Sequence, residues 1–180
     1  AQNIASAANT YNTAVGGNAG ASVTTGTNNT FIGGLAGDAN TTASSNTGVG
    51  SEALTTNTTG TNNSALGRRS LNFNTTGSNN VGLGLQALYS NTTASDNTAV
   101  GTSALFANTT GISNVAVGTS AGAGIATGNF NVLVGHTTGD AITTADYNVA
   151  MGYGSLGADT KGNRNTALGH NCLATQNFTA

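Results

Sequence analysis

The sequence predicts an all-β chain wound as a parallel β-solenoid, and three observations predict it. Asparagine recurs every seventeen residues, at Asn12, Asn29, Asn46, Asn63, Asn80, Asn97, Asn114, Asn131, Asn148 and Asn165, with no insertion in ten copies. Four residues after each stands a glycine: Gly16, Gly33, Gly50, Gly67, Gly84, Gly101, Gly118, Gly135, Gly152 and Gly169. Between them the second and fourth positions alternate with a small third one. A period this strict means that each copy occupies an equivalent place in a linear stack. Ten seventeen-residue coils resting on one another at about 4.8 Å would form a rod roughly 48 Å long. The array runs over residues 12–180, behind a lead-in partial coil, 1–11.

Numbered from its asparagine, the repeat reads N-[TV]-A-[VIL]-G-x-x-A-[LG]-x-x-N-T-T-G-x-x. Positions two apart share one face of a strand. The second position is Thr, Ser or Val and the fourth is aliphatic, from Val15 and Ile32 to Met151 and Leu168. The third is mostly Ala or Gly, so its face is expected to lie close against something, such as a second layer or another chain. Invariant glycine at the fifth position implies a backbone demand, either positive φ or an approach too close for a Cβ, and marks a corner. Positions eight and nine form a second short run before the Asn-Thr-Thr-Gly turn, predicting two strands and two corners per coil. Helix is excluded by 27 glycines in 180 residues and by an apolar spacing that never becomes three or four. A hairpin meander would not bring the same strand back at a constant interval.

Stacked copies form files of identical side chains. An asparagine amide can donate to one neighbour in its file and accept from the other, so such a file satisfies itself. Like charges about 4.8 Å apart would repel, and the chain carries only four basic and six acidic residues, scattered over different positions. Net charge of −2 and a lone Arg68-Arg69 pair do not make a nucleic-acid surface. No run of eighteen apolar residues predicts membrane insertion. The chain opens on Ala1-Gln2-Asn3 with ordinary copies at both ends, which points to a segment of something longer. One coil buries little apolar surface for its length, so association of several chains through the small Ala and Gly face is expected.

Candidate sites are sparse. Gly152–Gly157 matches G-x-G-x-x-G, but no helix is expected to follow it, and a glycine-rich chain generates such matches. His136 and His170 share the sixth position with Tyr153 between them, about 10 Å apart at two coil spacings and too far to share a metal. Asp38 and Asp140 share the tenth position six coils apart, so no calcium ladder forms. No recurrent nucleophile, base and acid arrangement is present, so neither catalysis nor a cofactor or metal is expected. Asn40, Asn57, Asn74, Asn91 and Asn108 match the glycosylation acceptor pattern, although the turn itself accounts for them. Adjacent threonines such as Thr58 and Thr59 form ladders, as in ice-binding solenoids. Only one of each pair can face outward on a strand. Tyr89 and Phe106 stack at the tenth position and Phe130 and Tyr147 at the seventeenth, and these four are candidates for surface binding of a sugar or for covering an interface. Cys172 takes the eighth position, where other copies hold small residues, and has no second cysteine to pair with.

The stretches Asn97–Leu105 (NTAVGTSAL) and Asn57–Gly60 (NTTG) closely resemble the seventeen-residue arrays of bacteriophage tail-fibre proteins and related bacterial surface proteins. They are also similar to the YadA-type head repeats of trimeric autotransporter adhesins. The resemblance covers residues 12–180. It implies a left-handed β-roll assembled as a homotrimer, located on a virion or at a cell surface, that holds a receptor-binding tip away from the particle. Two other readings stay open: an adhesive head binding host glycan or matrix protein directly, and an ice-binding solenoid.

Overall fold

The computed structural model describes residues 11–175 as a ten-stranded parallel sheet in sequential order. Its strands are β1 (Thr13–Val15), β2 (Thr30–Ile32), β3 (Thr47–Val49), β4 (Ser64–Leu66), β5 (Val81–Leu83), β6 (Thr98–Val100), β7 (Val115–Val117), β8 (Val132–Val134), β9 (Val149–Met151) and β10 (Thr166–Leu168). Every pairing is in strict repeat register, Thr13 against Thr30 and Leu168 against Met151. No helix occurs among the described residues. The chain is a β-solenoid with a seventeen-residue coil. Of the lead-in 1–11, only Tyr11 lies within the described residues.

Each coil holds one strand, not the two expected. The second run is instead a pair of tight turns, in which Ala53 N–H donates to Gly50 O at 3.2 Å and Asn57 N–H to Leu54 O at 3.2 Å. Its seventh and ninth residues are left-handed, as at Glu52 (φ 60°) and Leu54 (φ 53°). Alternating left-handed residues cannot extend into a strand. The segment still stacks: Glu52 N–H bonds back to Gly34 O (2.9 Å), while Leu54 N–H bonds forward to Ser70 O (3.1 Å).

The small face of the strand lies against a second layer, one of its two expected partners. That layer is the opposite side of the same coil, so this face is not free to join chains. The small third position points into the coil's own interior, where Ala65, Ala99, Ala116 and Ala150 are buried. The larger aliphatics point out. Leu66 is 50% exposed, Met151 46% and Val15 47%. The reason is volume, because a seventeen-residue coil encloses a narrow core. Most coils fill it with one large apolar side chain and small residues. Leu54, Leu71, Leu88, Leu105 and Leu156 do this from the ninth position, opposite Ala or Gly at the third. Where the ninth position is glycine, the bulk comes from elsewhere: Phe31 above Gly37, Ile125 beside Gly122, and Leu133 with Ile142 around Gly139.

The fifth-position glycine is the corner the pattern called for. Its φ lies between +121° and +138° in all ten coils. A Cβ on Gly84 would lie 2.6 Å from Gly101 O in the next coil, so both conformation and proximity demand glycine.

Two asparagine files run through the interior. At position twelve, Asn57 Nδ2 donates to Asn40 Oδ1 (3.1 Å), Asn74 to Asn57 (2.8 Å), Asn91 to Asn74 (2.7 Å) and Asn108 to Asn91 (3.1 Å). At position one the file is threaded through the backbone. Asn63 N–H donates to Asn46 Oδ1 (2.9 Å), while Asn63 Nδ2 ties its own coil closed on Gly77 O (2.9 Å). Each such residue therefore joins two coils and fastens one.

Candidate interaction surfaces

Since the interior is filled and hydrogen-bonded, any site must lie among the outward positions. The largest outward feature is the sheet face. Its fourth-position file runs from Val15 (47% exposed) through Ile32 and Leu83 to Leu168 (72%). Beside it, the second position adds Val81, Val132 and Val149. A monomeric soluble protein rarely carries a contiguous apolar surface of more than a few hundred Å2. The nearest ion pair, Arg69 Nε to Glu52 Oε2 at 2.8 Å, joins seventh-position residues of neighbouring coils across the turn.

Aromatic rings stack in files, as the spacing predicted, and the structure adds partners. Tyr89 and Phe106 are parallel at 5.1 Å and half-buried, with Phe73 edge-on to Tyr89 at 5.0 Å. Phe130 and Tyr147 are parallel at 5.1 Å and exposed. The Arg164 guanidinium sits 5.4 Å over the Tyr147 ring. Rings stacked along the axis cover one another's faces. The edges they present outward suit an interface better than the face of a sugar ring. His136, Tyr153 and His170 form a further stack with centroids 5.2 Å apart. The sequence placed these three in one file but gave no sign that they would stack as parallel rings.

The turn asparagines are closed to modification in the folded chain. Asn40, Asn57, Asn74, Asn91 and Asn108 are fully buried, and each amide is spent on its own turn, as Asn74 Nδ2 is on Gly77 O at 2.9 Å. Among the described residues no three His, Cys, Asp or Glu side chains converge on a metal position. Cys172 is half-buried and packs against the core. Asp38 and Asp140 stand at the tenth position, and burial raises the pKa of each above the ordinary carboxylate value, against the lowering effect of backbone N–H groups. Asp38 Oδ1 has no hydrogen-bond partner.

The threonine files separate into two kinds. At position thirteen the hydroxyl is used, Thr58 donating to Thr75 O (3.1 Å), Thr75 to Thr92 O (3.0 Å) and Thr92 to Thr109 O (2.9 Å). At position fourteen the threonine is exposed in every coil from Thr25 to Thr144.

Comparison of the chain with protein-family models, with curated proteins and with solved structures found no match. No helix among the described residues is long and apolar enough to cross a membrane.

Proposed function

We propose that the chain is a structural segment of a fibre, of the bacteriophage tail-fibre or a similar surface-appendage type, that works without catalysis and holds a receptor-binding tip away from a particle or cell. One observation carries this reading: ten strands stack in one register without a break, so length is produced by repetition and nothing interrupts the rod. A shaft must also resist bending. Side-by-side association supplies stiffness, and the outward aliphatic file offers the surface for it. The association is a homotrimer in which Leu66, Leu83, Val132, Val149 and Met151 face one another. This places the contact on the aliphatic side of the strand, since the Ala and Gly side is already used inside each coil.

Sedimentation equilibrium gives the test. Three chain masses are expected for the native protein. Leu66→Lys with Leu83→Lys should bring it to one chain mass while the circular dichroism of β-structure persists. A single chain mass for the unmodified protein across accessible concentrations would overturn the assembly. An adhesive head is the competing reading, supported only by the exposed Phe130 and Tyr147. Direct binding of this segment to cells or glycans would favour it.

A further inference from the structure

We propose that the fourteenth-position threonine file binds ice. The proposal is independent of the fibre reading and uses a different face of the coil. Threonine fills this position in eight successive coils, Thr25, Thr42 and onward at intervals of seventeen to Thr144. All eight are exposed. Within one chain, other exposed positions drift freely: the sixth holds Gly, Ser, Arg, Leu, Thr, His and Tyr, the seventeenth Asn, Ser, Asp, Phe, Tyr and Arg. Packing and internal bonding explain invariance at buried positions, but not here, because these hydroxyls have no intramolecular partner among the described residues. The adjacent thirteenth-position hydroxyls, by contrast, are all directed along the backbone from Thr58 to Thr109.

Adjacency of the two threonines argues against a double outward file, and the structure resolves this. The thirteenth position serves the stack. The buried Gly or Ala at position fifteen then separates the fourteenth from the half-buried sixteenth, whose hydroxyls also serve the stack, Ser44, Ser78 and Ser95 each accepting a backbone N–H from the coil before. The fourteenth is therefore the one threonine file left open to solvent. Positions thirteen to sixteen carry no charged side chain from Thr24 to Asn129. Such a face binds water by hydroxyl and methyl alone, without the local ordering that ions impose.

Lattice spacing decides the ligand. Water oxygens hydrogen-bonded at about 2.75 Å in tetrahedral geometry repeat at roughly 4.5 Å between second neighbours. Coils repeat at about 4.8 Å. The mismatch of about 0.3 Å lets three or four consecutive coils stay within about 1 Å of an ice row. A β-branched side chain on a rigid stack has little rotamer freedom to lose on binding.

The experiment grows ice slowly from a dilute solution of the chain and measures thermal hysteresis on the same sample. The unmodified protein should enter the ice, shape the crystals and show hysteresis. Thr59→Tyr with Thr76→Tyr should be excluded from ice with unchanged circular dichroism, while Leu66→Lys on the sheet face should behave as the parent in this assay. If the tyrosine pair unfolds, Thr59→Lys with Thr76→Lys takes its place. Exclusion of the folded parent from ice, or full activity in either double variant, overturns the proposal, and neither result changes the chain's mass in solution.

Discussion

Leucine occupies the ninth position in six coils with φ between 50° and 55°, a conformation that costs an L-residue about 1–2 kcal/mol. Burying a leucine contributes about 1.5–3 kcal/mol, so burial wins, but narrowly. Where glycine stands there instead, the strain is absent and the space is taken by another residue. Gly37 is the sharpest instance, since a Cβ there would run into the Phe31 ring. Phe31→Ala should destabilise by about 3–5 kcal/mol through the cavity it leaves. Gly37→Leu alone should cost about 1–3 kcal/mol by overpacking. The double variant rebuilds the arrangement of the Leu105 coil, with Ala99 at the third position, and denaturant unfolding should show a loss well below the sum of the two. Strict additivity would mean that the two residues do not share one volume. The half-buried carboxyls give a second test. Asp38 and Asp140 have raised folded-state pKa values, so their protonated forms are favoured on folding. Their favourable contribution is present below the unfolded value of about 3.9 and is lost as pH rises through the higher folded value. Asp38→Asn with Asp140→Asn should therefore raise stability at neutral pH and flatten its pH dependence across the carboxylate range. An unchanged profile in thermal melts would remove burial as the cause.

At the scale of the element, the position-twelve ladder has a direction. Each amide nitrogen donates to the coil before it and to its own turn, so every oxygen waits for the coil after. The ladder stops at Asn108, whose Oδ1 is buried without a partner because the next coil carries Ile125. Asn74→Ala should orphan Asn57 Oδ1 and leave the Asn91 amide short of one bond, while the Gly77 carbonyl keeps its bond from Asn63 Nδ2, costing roughly 2–4 kcal/mol at 1–3 kcal/mol per stranded buried group. Asn108→Ala removes a residue already short of one bond and should cost clearly less. Equal losses in chemical denaturation would mean that the ladder bonds carry no weight. The asparagine files, the glycine corner and the strand register were legible because each is a repeated demand on one residue type. The second run was not, since a two-residue apolar period looks the same whether φ is negative or positive, and no residue preference announces a left-handed leucine. The small face was legible only in part. Alternation shows that two faces exist and that the Ala and Gly side lies close to something, but not that a coil this narrow closes on that side itself and leaves no small face for another chain. Ring stacking of His136, Tyr153 and His170 was hidden because two different residue types alternate in one file.

For the molecule as a whole, each strand meets only the strands before and after it. Stability is then close to a sum of coil terms and neighbour terms, and damage need not spread. Gly84→Ala is a suitable probe. It forces a side chain to φ +135° and drives the new Cβ into the Gly101 backbone, with conformational strain alone costing about 1–3 kcal/mol. The affected interface lies between the coils of β5 and β6, with several intact coils on either side, and each remnant still has neighbours to stack on. Hydrogen exchange should therefore show amide protection falling steeply around residues 67–118 while the coils of β2 and β9 keep theirs. If protection falls by the same factor along the entire array, the coils unfold as one cooperative unit. Stiffness would then reside in coupling along the rod or between chains, not in the sum of local contacts. A broken middle with intact flanks would instead mean that the rod tolerates local failure, as the proposed fibre role requires.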